Sequence, residues 1–187
     1  MITQDNWGKY LEQAGNWIRR EYPHFNRTDL DLSFEDYTKK LNIELVDDIS
    51  IKGHSVDALV EDSLSTIQVN RTRVDSLSEK ERVALLIHEI TEGYGIASFL
   101  YQGYVVRPEH EYAEYVETRY RQENNLPRCE LELKQETFEL MDKMNEFYKK
   151  FHISGVYMGT VLYFTLLKDP TLPVDESLKS KVMDELN

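Results

Sequence analysis

The stretch from Ser78 to Glu92 constrains this chain more than any other, because it reads as a helix that must be buried on most sides. Ser78 and Glu81 have the spacing of a capping box, in which a side-chain hydroxyl and a carboxylate satisfy each other's backbone N–H at a helix start. Val83, Ala84, Leu85, Leu86 and Ile87 follow without a break, so apolar side chains nearly encircle the helix. Into this apolar surrounding come His88, Glu89 and Glu92. Titratable groups on a buried helix are expensive unless they have partners, and that cost marks them out.

His88 and Glu92 are four residues apart, so they project from one face, one turn from each other. An imidazole nitrogen and a carboxylate oxygen placed that way are both acceptable zinc donors at ~2 Å. Glu89, turned about 100° from His88, sits beside them, where a general base could reach an activated water. The spelling is H-E-x-x-E, with a glutamate where H-E-x-x-H has its second histidine. Taken alone, a His–Glu pair at this spacing more often makes a surface hydrogen bond than a metal site.

A third ligand has to come from elsewhere. Residues 110–114 repeat the pattern as His-Glu-Tyr-Ala-Glu, on a helix expected over 109–123 that Pro108 introduces and Asn124-Asn125 and Pro127 end. Glycine at 93, 95 and 103 loosens the intervening stretch, and with a loop around Gly103 to Pro108 this helix can fold back on the helix of residues 78–99. His110 is then the natural third ligand. Glu114 lies one turn further along its face, and Glu117 is a reserve. Two imidazoles and one carboxylate with one open position match the composition of an open catalytic zinc site. The competing role for His110 is a solvent-facing residue in an acidic helix start.

Elsewhere, Trp7, Tyr10, Leu11, Ala14, Trp17, Ile18 and Tyr22 recur at helical spacing over residues 5–22, with Pro23 as the stop. Packing into a core is the expected use of the two tryptophans. Ser33 with Asp36 opens a short helix reaching about Leu41. Apolar runs at 43–46, 49–51, 56–60 and 66–70, separated by turn residues such as Gly53, predict a small antiparallel sheet before the metal-binding helix. A long amphipathic helix is expected over about 130–151, with Leu133, Phe138, Met141, Met144, Phe147 and Tyr148 as its core stripe. The fold class is therefore α+β and mostly helical. The 187 residues are expected to form one domain, with about 130–187 a helical extension packed on it.

Composition narrows the function classes. With 41% hydrophobic residues the chain can build a core without a structural metal or disulfides. A net charge of −12 repels phosphate backbones, so nucleic acid is not an expected partner. Cys129, the only cysteine, cannot form an internal disulfide, and the polar start of the chain lacks the basic and apolar regions of a secretory signal. The apolar run 153–167 is interrupted by Ser154, Gly155 and Gly159, and is shorter than the ~20 residues a bilayer requires. These features predict a cytoplasmic protein without a membrane partner. His24, His54 and His152 are isolated and expected to be surface or capping residues. No phosphate loop, nucleophile elbow or paired-cysteine motif is present.

From Ser65 to Glu117 the chain resembles the small zincin-like metallopeptidases of the ImmA/IrrE type, found on phage and mobile elements as well as in bacterial genomes. Ile67–Asn70 resembles the family's strand ending in Asn, Ser78–Glu92 its metal helix, and Glu109–Glu114 its second helix. The chain departs in two places: Glu92 stands for the second histidine, and His110 for the acidic third ligand. The resemblance implies a zinc site of His88, Glu92 and His110, hydrolysis of a peptide bond in a protein or peptide substrate, and Glu89 as the group that moves the proton. It also implies that the strand Thr66–Asn70 could pair with an extended substrate. The exchange of His for Glu at position 92 leaves a second expectation beside the first, a zincin-like module that binds or regulates without cleaving.

Overall fold

The computed structural model describes residues 4–25, 33–51, 53–61, 63–102, 109–127, 138–139, 141–142 and 145. Helix α1 (Gln4–Glu21) buries Trp7, Tyr10, Ala14, Trp17 and Ile18 along one stripe. It ends one residue before Tyr22, because the ring of Pro23 disfavours helical backbone in the residue ahead of it. After a 3-10 turn (Pro23–Phe25), Ser33 caps α2 (Phe34–Lys40) by accepting the Asp36 N–H at 3.1 Å, and the helix buries Phe34 and Tyr37.

Five short strands follow: β1 (Asn42–Val46), β2 (Ser50–Ile51), β3 (His54–Ser55), β4 (Ala58–Val60) and β5 (Thr66–Asn70). The expectation of an antiparallel sheet needs correction. β4 and β5 are antiparallel, but β1 and β5 are parallel, in the order β1-β5-β4. The chain between β1 and β5 contains the β2–β3 hairpin and β4, which together carry it back to its starting end. Alternating burial assigns each strand's faces and says nothing of its neighbours or their direction. β5, with Ile67, Val69 and Asn70 buried, is therefore the central strand and has no free edge to offer a substrate. Gly53, at φ 84°, makes the tight turn between β2 and β3.

Asn70 ends β5 and caps a one-turn helix α3 (Arg71–Val74), its side chain accepting the Arg73 N–H. The capping box then appears as expected: Ser78 N–H donates to the Glu81 carboxylate at 2.8 Å, and Glu81 N–H to the Ser78 hydroxyl at 3.3 Å. Helix α4 (Glu79–Gln102) runs straight through Gly93 and Gly95, three residues past the expected end. A glycine costs a helix ~1 kcal/mol relative to alanine. At Gly93 the missing Cβ makes room for the Tyr37 hydroxyl and the Val60 side chain, so tertiary packing offsets local propensity.

Helix α5 (Glu109–Glu123) folds back on α4, the most extensive pairing of elements in the molecule, and every residue from Tyr112 to Thr118 is buried. Asn125, at φ 54°, closes α5 in left-handed backbone, and Leu126 N–H returns to Arg121 O at 2.9 Å. An aromatic core joins the helices. Trp17 packs edge-on against Tyr120, and Phe25 lies between Phe34, Tyr94 and Tyr112. Of the long helix expected over 130–151, the five described positions are helical, with Phe138 and Met141 buried. Its remaining residues, Cys129, His152 and the run 153–167 lie outside the described residues. Among the described residues no helix is long and apolar enough to cross a membrane. Helices flanking a small mixed sheet make the chain α+β.

Candidate metal centre

The close packing of α4 on α5 brings His88, Glu92 and His110 together. One ligand atom from each lies within 4.8 Å of the other two. Glu92 Oε2 is 3.4 Å from His88 Nε2 and 3.4 Å from His110 Nδ1, and the two imidazole centroids are 5.0 Å apart. Donors held ~2.0–2.1 Å from a shared tetrahedral ion sit roughly 3.3–3.5 Å from each other. Both separations involving Glu92 already have that length. The three residues could hold a metal ion. The trio also grades outward, with side chains 12% exposed at His88, 25% at Glu92 and 58% at His110, so the cluster opens to solvent on the α5 side.

Each histidine has a carboxylate behind it. His88 Nδ1 is 3.0 Å from Glu117 Oε2, and the other oxygen of Glu117 accepts Arg121 Nε at 2.7 Å. His110 Nε2 is 3.5 Å from Glu114 Oε1. Glu114 and Glu117 therefore stand behind the imidazoles rather than among the ligand atoms. With Nδ1–H of His88 donated to Glu117, its Nε2 faces Glu92 and is the nitrogen that an ion, displacing the proton there, would take. A carboxylate on the far nitrogen fixes tautomer and ring orientation at many histidine–metal sites.

The charges follow from this arrangement. Burial opposes a proton on His88, but hydrogen bonds to Glu117 and Glu92 outweigh it and hold the imidazole well above its ordinary pKa. Glu114 and Glu92 together lift His110 to about 10. For Glu92, burial works upward and is overcome by His110 and His88, leaving the carboxyl at about 2. Glu117 is likewise penalised by burial and lowered overall by His88 and Arg121. The field that keeps protons on both imidazoles is the field a divalent cation between them would experience.

Glu89 is placed differently. It is buried, and burial pushes its carboxyl up to about 7, with the negative charges of Glu92 and Glu117 adding to the effect against the pull of His88. Its hydrogen-bond donor is the backbone N–H of Val60. Glu61 N–H and Asp57 O pair with β5, so the alternation of an antiparallel ladder turns the Val60 N–H to the opposite, outer edge of β4. That edge faces α4. A carboxyl poised near neutrality can both accept and return a proton at physiological pH.

His54 lies exposed on β3, and the His24 side chain is outside the described residues. Sequence reasoning missed Tyr37, Val60 and Arg121 as neighbours of this cluster. Only Arg121 left a trace there, as the i+4 partner of Glu117. Comparison with protein-family models, with curated proteins and with solved structures gives no match.

Proposed function

We propose that this protein is a zinc-dependent hydrolase of the zincin-like, ImmA/IrrE type that cleaves a peptide bond in a protein or peptide substrate. The supporting observation is the pair of imidazoles, each backed by its own carboxylate, that meet on Glu92 between α4 and α5. Two nitrogens and one carboxylate oxygen suit zinc, whose preferred ligands they are. His88, Glu92 and His110 would hold the ion, and Glu117 and Glu114 would orient the two rings.

A bound zinc ion would supply Lewis acidity, polarising a carbonyl and lowering the pKa of water. Glu89 takes the proton from the attacking water and passes it to the leaving amine, a role suited to a carboxyl near pKa 7. Cys129 as the lone thiol favours the cytoplasm as the working compartment.

Metal analysis of purified wild type, His88→Ala and His110→Ala tests the site: one zinc per chain in the wild type and loss in both variants is the expected result. Full occupancy in both variants would reject it. Glu89→Gln then separates cleavage from binding. A variant that keeps its zinc and its biological effect would favour the second reading, a non-cleaving regulatory module, which the glutamate in place of histidine at position 92 makes reasonable.

A further inference from the structure

Tyr37 carries a hydroxyl that nothing in the fold explains. Its side chain is 3% exposed, and its oxygen is sealed from solvent with no hydrogen-bond partner. A buried hydroxyl in that condition costs about 1–3 kcal/mol, so a fold that keeps one has a use for it. The oxygen occupies the space a Cβ at Gly93 would fill, beside both methyl groups of Val60. Gly93 is four residues beyond Glu89, so the two positions share one face of α4. The phenol thus enters along the strip of helix where the Glu89 carboxylate lies, and the absence of a side chain at 93 is what admits it.

Glu89 has the complementary deficit. It is a buried carboxyl with two oxygens, and the donor identified for it is the single Val60 N–H. Among charged side chains Glu89 acts most strongly on the Tyr37 hydroxyl, followed by Glu92, and burial together with these charges keeps the phenol protonated and a donor. Since the hydroxyl is closed to solvent, it has no access to a substrate, and its reachable acceptor is another buried group. Glu92 already has two imidazoles.

We infer that Tyr37 is a positioning residue for Glu89: its O–H donates to the carboxylate oxygen that Val60 does not hold, once the side chains swing together over Gly93. α2 and β4 then fix the carboxylate from two sides, beside His88 and off the set of ligand atoms. The inference rests on the reading of Glu89 as the proton-moving group. It places in the site a helix, α2, that carries no part of the H-E-x-x-E motif.

A double-mutant cycle on the full chain, with Tyr37→Phe, Glu89→Leu and the double variant unfolded in urea with chelator present, reads the contact directly. The expected result is non-additivity of about fivefold in the folding equilibrium constant; additive effects overturn the inference. In protein labelled with 13C at tyrosine Cζ, the Tyr37 signal, assigned by its loss in Tyr37→Phe, moves upfield in Glu89→Leu and stays in place in Tyr10→Phe. An unmoved signal in Glu89→Leu overturns it as well. Zinc titration keeps the two proposals apart. Tyr37→Phe binds zinc within about twofold of wild type, because Tyr37 holds neither a ligand residue nor the carboxylates behind the two imidazoles. A wild type that takes no zinc ends the hydrolase reading, whereas normal zinc binding with an additive cycle ends only this one.

Discussion

The inner and outer halves of the cluster have the same parts and different surroundings. The inner half, His88 backed by Glu117 and Arg121, is enclosed: the side chains of those three residues are 12%, 7% and 11% exposed. The outer half, His110 backed by Glu114, leaves the imidazole 58% exposed. Hydrogen bonds are 3.0 and 2.7 Å inside, and the contacts are 3.4 and 3.5 Å outside. A buried charge must be fully paired, so the inner ring can adopt one orientation. Outside, Glu114 is enclosed too, its side chain 11% exposed, and only the His110 ring reaches water, so that ring has the looser surroundings and can adapt. The arrangement suggests that one ligand is preset and the other closes on whatever enters.

The largest effects should come from removing the inner ligand. His88→Ala deletes the imidazole that Glu117 holds, and zinc binding is expected to fall below detection. His110→Ala leaves the preset pair His88–Glu92, and weak residual binding should persist. Isothermal titration with zinc checks the order. Equal residual affinities would break the distinction between the halves.

Next comes the carboxylate behind His88. Glu117→Gln keeps the shape but weakens the acceptor that holds Nδ1–H, and a loss of about 10–100-fold in zinc affinity is expected. The same change should destabilise the chain by about 1–3 kcal/mol, because the buried guanidinium of Arg121 loses its charged partner. Urea unfolding with chelator present measures that cost separately from zinc. A variant that keeps wild-type affinity would show that the ring needs no orientation from behind.

The outer pair can be sharpened by pH. His110 is raised in the fold from 6.5 to about 10, so its contribution to stability is fully present below 6.5 and lost as pH rises towards 10. Glu92 is lowered from 4.5 to about 2, so its contribution is full above 4.5 and lost as pH falls towards 2. With chelator present, the stability difference between wild type and His110→Asn should therefore be greatest at pH 4.5–6.5 and fade by about pH 10. Zinc added at pH 7 must displace the His110 proton, and titrations in buffers of different ionisation enthalpy should report that release. A stability difference that stays flat across this range would separate His110 from Glu92 and undo the outer half as described.

What could be read from the sequence, and what could not, divides along similar lines. Ser78 with Glu81, the stripe on α1 and the stop at Asn125 are local signals, and each lies where its spacing placed it. His88 and Glu92 share a face because four residues make one helical turn, and α5 returns because the connection to it is short. The direction of β1 against β5 left no local trace, since apolar alternation is the same for either neighbour. Gly93 read as a weak point in the helix. Its meaning depends on Tyr37, more than fifty positions earlier in the chain, and no periodicity connects the two. The three residues that could hold an ion were legible because they are close in sequence or repeat a pattern, while neighbours such as Tyr37 and Val60 were not.

The smallest effect expected at the cluster is also the most discriminating. Glu114→Gln removes the charge behind His110 without touching a ligand atom. At a ring this exposed, water can replace the lost acceptor, so zinc affinity should fall by about tenfold or less, the lower end of the range for such partners. The change should cost less stability than Glu117→Gln, because the partner of the buried Glu114 carboxylate is a ring open to water at a longer contact of 3.5 Å. If Glu114→Gln instead costs as much as Glu117→Gln, the outer imidazole is held as firmly as the inner one. The exposure difference would then reflect only a route for water and substrate, and His110 would be a fixed ligand rather than one that closes on the ion.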